Sequence, residues 1–191
     1  KGFLADGISC GIKKTGRPDL AVVLSDRPAT AAAVFTQHRA PSPGVTLARR
    51  LIRTPRHQAV VVNSGCANTA TGRAGYVDIR RIVKRAEEVL HLPRGRVLAA
   101  STGIVGVPLP VPKIMAGLER LRPRFGGGRK AARAIMTTDL APKEASRRVW
   151  FRRRTFIVGG MCKGAGMIHH NMATLIVVLT TDASASKAVL G

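Results

Sequence analysis

The most informative stretch of the sequence reads Lys163-Gly164-Ala165-Gly166-Met167-Ile168-His169-His170-Asn171-Met172-Ala173-Thr174, and the apolar run Leu175-Ile176-Val177-Val178-Leu179 follows it. The two glycines, separated by one residue, allow a tight turn and a close approach of the backbone to a ligand. The apolar run is rich in β-branched residues and predicts a buried strand. Thr174 therefore lies where a loop enters a rigid strand, a position that can hold a hydroxyl group still. Threonines at such junctions are common, so this pattern alone does not assign a catalytic role.

The composition is typical of a single globular domain, here residues 1–191. Hydrophobic residues make up 45% of the chain and the mean hydropathy is +0.07, so a sizeable core can form. No apolar run approaches the roughly 18 residues that a membrane-spanning helix needs. The first residues lack the apolar core of a signal peptide. We therefore expect a cytoplasmic protein with no membrane partner.

The cysteines and histidines give no sign of a metal centre. Cys10, Cys66 and Cys162 are far apart in the sequence and form no C-x-x-C pair. An odd number at this spacing argues against a disulfide framework and a zinc site, and it favours a reducing compartment. The adjacent His169 and His170 are not accompanied by a further cluster of ligands in the sequence. We expect no metal site.

The net charge of +22 raises the question of nucleic-acid binding. The basic residues, however, occur in scattered pairs and triples, for example Arg49-Arg50 and Arg152-Arg153-Arg154, rather than in one tract. Aromatic residues that could stack on bases are few, with one Trp, one Tyr and five Phe. The sequence therefore predicts no nucleic-acid partner. A basic nucleic-acid-binding protein stays open as an alternative from a different functional class.

Apolar runs and helical periodicity predict an α/β (α+β) fold in which strands and helices alternate. The segment that begins at Asp78 has apolar residues at helical spacing, which indicates an amphipathic helix packed on the core. Pro112 is well placed to open a second helix, and residues 131–136 form a third, short one. The remaining predicted elements are strands at 21–24, 31–36, 59–62 and 97–100 and a hairpin at 149–159.

Polar segments of small residues follow several of these elements. Asn63-Ser64-Gly65, Ser101-Thr102-Gly103 and Thr137-Thr138-Asp139, taken with Ala173-Thr174, closely resemble the ornithine acetyltransferase family. Its members are the bifunctional glutamate N-acetyltransferases of arginine biosynthesis. The match runs in order along nearly the whole chain. It includes Gly11-Ile12-Lys13, Asp19-Leu20-Ala21, Ser25-Asp26, Val34-Phe35-Thr36, Ile104-Val105-Gly106, Leu109-Pro110, Ala134-Ile135-Met136, Pro142-Lys143, Lys163-Gly164-Ala165-Gly166-Met167-Ile168, Asn171-Met172 and Thr181-Asp182-Ala183.

The resemblance implies an αββα-type sandwich, in which two sheets are flanked by helices, and a precursor that cuts itself between Ala173 and Thr174. Residues 1–173 would then be the α-chain part, and residues 174–191 the start of a β chain whose remainder lies outside this sequence. The assembly implied is an α2β2 heterotetramer formed with the protein's own β chain.

The resemblance also implies the reaction and its residues. Thr174 would be the nucleophile that carries an acetyl group from N2-acetyl-L-ornithine to L-glutamate. Thr102, through its hydroxyl, and Gly103, through its backbone N–H, would form the oxyanion hole. Thr137, Thr138 and Lys163, together with Thr174, would bind substrate. No cofactor is implied, although acetyl-CoA serves as a co-substrate in bifunctional members.

Two further readings stay open at the level of sequence. A related N-terminal-nucleophile amidohydrolase or aminopeptidase would use water as the acceptor in place of glutamate. A degenerate relative would keep the fold and lack self-cleavage.

Overall fold

A computed structural model describes residues 1–165 and 175–190. Its strands are β1 (Phe3–Ile8), β2 (Leu20–Ala29), β3 (His57–Cys66), β4 (Val97–Ile104), β5 (Lys143–Phe151), β6 (Arg154–Lys163) and β7 (Ile176–Thr181). Its helices are α1 (Pro43–Leu51), α2 (Gly72–Val89), α3 (Val111–Arg120), α4 (Gly128–Ala134) and α5 (Lys187–Leu190).

The first sheet has the strand order β1-β2-β3-β4. β1 pairs with β2 and β2 with β3 in antiparallel fashion, whereas β3 and β4 are parallel and are joined through α2. Leu20, Val61 and Val97 on one face of this sheet pack against α1, α2 and α3. The amphipathic α2 contributes Ile79, Ile82, Val83 and Ala86 to that core. The burial of this apolar stripe is what fixes α2 over the two parallel strands.

The second sheet is antiparallel, with the order β5-β6-β7. Met161 of β6, with Ile176 and Val178 of β7, packs toward the first sheet in a core that includes Val62. Helix α4 contributes several buried alanines to this core, and it contacts β1, β2, β5 and β6. Two sheets thus face one another across a shared core, and helices flank the first of them. This architecture confirms the predicted fold class.

Most of the predicted elements are present, and the differences have physical reasons. The predicted strand at 31–36 is instead an irregular, largely surface segment with Val34 80% exposed. Helix α2 begins at Gly72, six residues before the predicted start at Asp78. β1 and α1 were not predicted. Ser42 accepts a hydrogen bond from the Val45 N–H and Pro43 lies in the first turn of α1, so this segment starts a helix.

Candidate active site

The parallel pairing of β3 with β4 brings two of the predicted polar segments side by side. Asn63 is paired with Ser101, Ser64 with Thr102, and Gly65 with Gly103. Parallel strands end at the same edge of a sheet, so both segments lie at that edge. The Ser101 hydroxyl donates to Asn63 Oδ1 at 2.6 Å, which ties the two strand ends together.

Gly103 lies where only a glycine fits. Its φ is +133°, and a Cβ at this position would be 2.3 Å from the carbonyl carbon of Gly65 and 2.6 Å from the N of Cys66. Such distances are far below van der Waals contact, and the neighbouring atoms are backbone that cannot rotate away. The turn after Thr102 is therefore built on a close approach of two backbones.

Lys163 reaches this turn from the second sheet. It is the last residue of β6, it pairs with Ile176 at the start of β7, and it is only 3% exposed. Its Nζ donates to Thr102 Oγ1 at 3.1 Å, and Thr102 is itself buried. Burial lowers the pKa of Lys163 because it penalises the ammonium form, while the charge of Asp139 acts in the opposite direction.

Asp139 links Lys163 to the segment that follows α4. This buried carboxylate accepts hydrogen bonds from the N–H of Gly164 at 2.9 Å, from the N–H of Thr137 at 3.2 Å, and from Lys143 Nζ. Lys143 Nζ also donates to the Gly164 carbonyl at 3.1 Å. Burial disfavours the charged carboxylate, but these hydrogen bonds outweigh it and lower the pKa of Asp139 to about 2. A carboxylate in this setting is ionised at neutral pH.

Lys13 connects the loop between β1 and β2 to the same segment. Its Nζ donates to the carbonyls of Pro18 and Met136, each at 2.7 Å. The loop is held by Asp19, which is completely buried and accepts the N–H of Lys13 at 3.0 Å and that of Ile12 at 2.7 Å. Burial lowers the pKa of Lys13, and the charge of Asp19 opposes this shift, with smaller contributions from Lys163 and Asp139. The site thus brings the ammonium groups of Lys13, Lys143 and Lys163 near two buried carboxylates, Asp19 and Asp139.

The structure brings four of the predicted site residues into one connected cluster. Thr102 and Gly103 are adjacent, Lys163 touches Thr102, and Thr137 is joined to Gly164 through Asp139. Thr138 is exposed beside Thr137. The predicted nucleophile and cleavage site, Thr174 and Ala173, lie outside the described residues. The roles assigned to all these residues stay predictions.

Sequence reasoning assigned no role to Asp139, Lys143 or Lys13. All three lie within sequence blocks that match the family, and this match could have marked them as candidate site residues. A lone Asp after two threonines, however, does not reveal which distant N–H groups it will meet. Only the folded chain places Gly164 against it.

Comparison with known proteins decides the family. The family model described as "ArgJ family" matches residues 4–191. The chain belongs to the ArgJ family. Two relatives named arginine biosynthesis bifunctional protein ArgJ come from Thermus thermophilus and Thermosynechococcus vestitus, with 45% and 42% identity. The matches cover 100% and 97% of this chain but 49% and 45% of those relatives. The chain thus spans about half the length of these curated ArgJ proteins.

Solved ArgJ structures share the fold. The arginine biosynthesis bifunctional protein ArgJ of Bacillus halodurans superimposes with a TM-score of 0.86 at 36% identity, covering 91% of this chain and 92% of that one. The ornithine acetyltransferase of Mycobacterium tuberculosis, solved in complex with ornithine, gives a TM-score of 0.78 at 34% identity, covering 92% and 93% of the two chains. At 36% and 34% sequence identity, these two structures resemble the chain in family as well as in fold.

The part of the chain that the structure describes offers neither a metal site nor a membrane-spanning helix. In residues 1–165 and 175–190, His, Cys, Asp and Glu side chains form no group of three or more that could hold a metal ion. Within the same ranges, no helix has both the length and the apolar character needed to cross a bilayer.

Proposed function

We propose that the complete protein is an acetyltransferase that moves the acetyl group of N2-acetyl-L-ornithine to L-glutamate through an acetyl-threonine on Thr174. One observation carries this proposal: the buried Lys163 Nζ lies 3.1 Å from Thr102 Oγ1, at a turn where Gly103 permits close backbone approach. Membership of the ArgJ family supports it. The relative crystallised with ornithine is named an ornithine acetyltransferase, which supports the substrate class.

The proposed maturation begins with an attack of the Thr174 hydroxyl on the Ala173 carbonyl carbon. The C–N bond breaks as the acyl group moves to oxygen, and water then hydrolyses the ester. The products are a chain ending at Ala173 and a chain beginning with a free Thr174 α-amine. An α-amine has a reference pKa of about 7.7–8.0, so it can take up a proton near neutral pH. Thr174 would then supply both nucleophile and base.

The transfer reaction has two balanced halves. In the first, Thr174 Oγ bonds to the acetyl carbon of acetylornithine, its proton passes to the α-amine, and the amide C–N bond breaks. Ornithine leaves with a proton on its released nitrogen. In the second half, the amine of glutamate attacks the acetyl ester, the C–O bond breaks, and the proton returns to Thr174 as N-acetylglutamate leaves. Each half passes through a tetrahedral oxyanion.

Thr102 and Gly103 are proposed as the donors to that oxyanion. Donors that are already in place before reaction stabilise the developing charge, and removing one such donor typically costs about 3–4 kcal/mol of barrier. Lys163, Thr137 and Thr138 are proposed to bind substrate, because both amino-acid substrates carry an α-carboxylate and the cluster is rich in ammonium groups. Thr137 is fixed for this purpose by its hydrogen bond to Asp139.

Several properties of the whole protein follow from the same proposal. We propose a cytoplasmic location and an assembly with its own β chain as an α2β2 heterotetramer. No metal or bound organic cofactor takes part in the proposed reaction. Acetyl-CoA is proposed as an additional acetyl donor if the protein shares the second activity that the word "bifunctional" suggests for its relatives.

The test is an assay of the complete gene product with acetylornithine, with and without glutamate. The proposal predicts N-acetylglutamate and ornithine in equal amounts when glutamate is present, and little acetate. Release of acetate at the same rate without glutamate would instead identify an amidohydrolase. Thr174→Ser is the conservative control, since it keeps a hydroxyl, while Thr174→Ala should lack both cleavage and transfer.

A further inference from the structure

We propose that Lys163 is a positioning residue whose ammonium group orients and polarises the Thr102 hydroxyl as an oxyanion donor, while Asp139 holds the backbone beside it. This inference rests on the proposed function, because it concerns the oxyanion hole of that reaction. It assigns to Lys163 an action on another protein side chain, in addition to substrate binding.

The hydrogen bond between Lys163 and Thr102 can run in only one direction when the lysine is charged. A threonine hydroxyl has one proton to donate and lone pairs that accept, whereas a lysine ammonium can only donate. In the contact of 3.1 Å between Lys163 Nζ and Thr102 Oγ1, the threonine oxygen must therefore accept. The hydroxyl proton of Thr102 is left free to point toward another acceptor. A developing oxyanion is such an acceptor.

The positive charge of Lys163 also makes the Thr102 hydroxyl a stronger hydrogen-bond donor. A cation that donates to a hydroxyl oxygen draws electron density from the O–H bond, and linked hydrogen bonds strengthen one another in a poorly solvated site. Both side chains are buried, so water screens this effect little. Thr102 thus becomes a better donor than an isolated threonine would be. A neutral amine would have the opposite effect, because its lone pair could accept the Thr102 proton and turn it away from substrate.

Asp139 keeps the lysine in the useful form. Burial disfavours the ammonium of Lys163, and the neighbouring Lys143 and Lys13 add like charge, whereas Asp139 is the opposing charge. Asp139 also fixes the backbone next to Lys163, since it accepts the Gly164 N–H at 2.9 Å. The carboxylate therefore acts on Lys163 in two ways, through charge and through the position of the chain.

The experiment is a double-mutant cycle on the complete gene product. Lys163→Met keeps the length and apolar stem of the side chain but removes the ammonium. It is introduced into wild type, into Thr102→Val, which lacks the hydroxyl, and into Thr102→Ser, which keeps it. The measured quantity is the single-turnover rate of acetyl-Thr174 formation at saturating acetylornithine, and the rate of self-cleavage is followed in the same proteins.

We expect Lys163→Met to slow acetylation at least about tenfold in wild type and in Thr102→Ser, as for loss of a charged hydrogen bond. Thr102→Val should itself acetylate about 10²-fold more slowly than wild type. In that background Lys163→Met should slow acetylation by less than about threefold, because no hydroxyl is left for the ammonium to act on. A higher KM for acetylornithine in every background would report the separate role of Lys163 in binding substrate.

Equal fold-losses from Lys163→Met in the Val and Ser backgrounds would overturn the inference while leaving the proposed function intact. A Thr102→Val protein that forms acetyl-Thr174 as fast as wild type would also contradict it, because the Thr102 hydroxyl would then not serve as an oxyanion donor. A folded wild-type protein that transfers no acetyl group would instead refute the proposed function. These three outcomes are distinguishable in one set of measurements.

Discussion

Asp139 is the residue on which the connections of the site converge. Its carboxylate accepts hydrogen bonds from the N–H groups of Thr137 and Gly164 and forms an ion pair with Lys143. Its pKa of about 2 is below the usual value of 3.8, so between these pH values the folded protein binds fewer protons than the unfolded one. The stability that Asp139 contributes is therefore complete above about pH 4 and is lost as the pH falls toward 2.

Asp139→Asn should lower the free energy of unfolding of the complete gene product by on the order of 2 kcal/mol near pH 6. The difference from wild type should narrow as the pH is brought from 4 to 2, where wild-type Asp139 also becomes neutral. Urea unfolding over this pH range measures the effect. Asp26→Asn is the matched control: Asp26 pairs with Arg27 at the surface, so this change should have little effect. A loss of stability in Asp139→Asn that does not change with pH would contradict the assignment of an ionised carboxylate to Asp139.

The element that frames the turn after Thr102 is the parallel pair β3 and β4, where Gly103 packs against the backbone of Gly65 and Cys66. Gly103→Ala should destabilise the protein through both positive φ and steric overlap. Gly106→Ala is the matched control, since its φ is +79° but a Cβ there would meet nothing within 4 Å. Gly106→Ala should lower the free energy of unfolding by about 1–2 kcal/mol, and Gly103→Ala should lower it by clearly more. Urea unfolding measures both changes. Equal losses would show that the two strand ends are not in close contact.

The elements differ in how far local sequence predicts them. Strands such as β3 and β7 are visible as β-branched runs, and α2 is visible from its apolar period. The prediction that the run after Thr174 is buried is wrong for one face of β7, because Val177 and Leu179 are 49% and 71% exposed. β1 was not predicted because Asp6 and Gly7 interrupt its apolar pattern. The run at 31–36 resembles a strand, but it has no partner strand among the described residues and leaves Val34 in solvent. Strand pairing depends on contacts with distant parts of the chain, and a run of six residues does not reveal those contacts.

The candidate site was predictable in part, and through resemblance more than through spacing. Thr102, Gly103, Lys163 and Thr137 were assigned by their sequence blocks, and the fold places them in one cluster. The contact between Lys163 and Thr102 could not be predicted because it joins the two sheets. The same holds for Asp139, whose partners include the N–H of Gly164 on the far side of the β5–β6 hairpin.

At the scale of the whole molecule, the β5–β6 hairpin carries five of the arginines. Arg147, Arg148 and the triple Arg152–Arg154 meet on the β5–β6 hairpin beside the exposed Trp150 and Phe151. In the described part of the chain none of these arginines forms an ion pair with a carboxylate. This hairpin is the surface on which the alternative of nucleic-acid binding can be tested.

We predict that duplex DNA binds weakly at low salt and not measurably at about 0.15 M salt, because counterion release alone drives such contacts. Replacing Arg152, Arg153 and Arg154 together by Gln should reduce the low-salt binding, as followed by fluorescence anisotropy. The matched control replaces Arg80, Arg81 and Lys84 on α2 by Gln, which removes the same charge elsewhere. Tight binding that persists at 0.15 M salt and depends on the hairpin would contradict the predicted absence of a nucleic-acid partner.

Intact mass spectrometry of the complete gene product shows whether Thr174 is released by self-cleavage and then acetylated. We predict two chains, one of which begins Thr174-Leu175-Ile176-Val177, gains the mass of one acetyl group with acetylornithine, and loses it when glutamate is added. A single uncut species after long incubation, or a cut protein whose Thr174 chain never gains that mass, would contradict it.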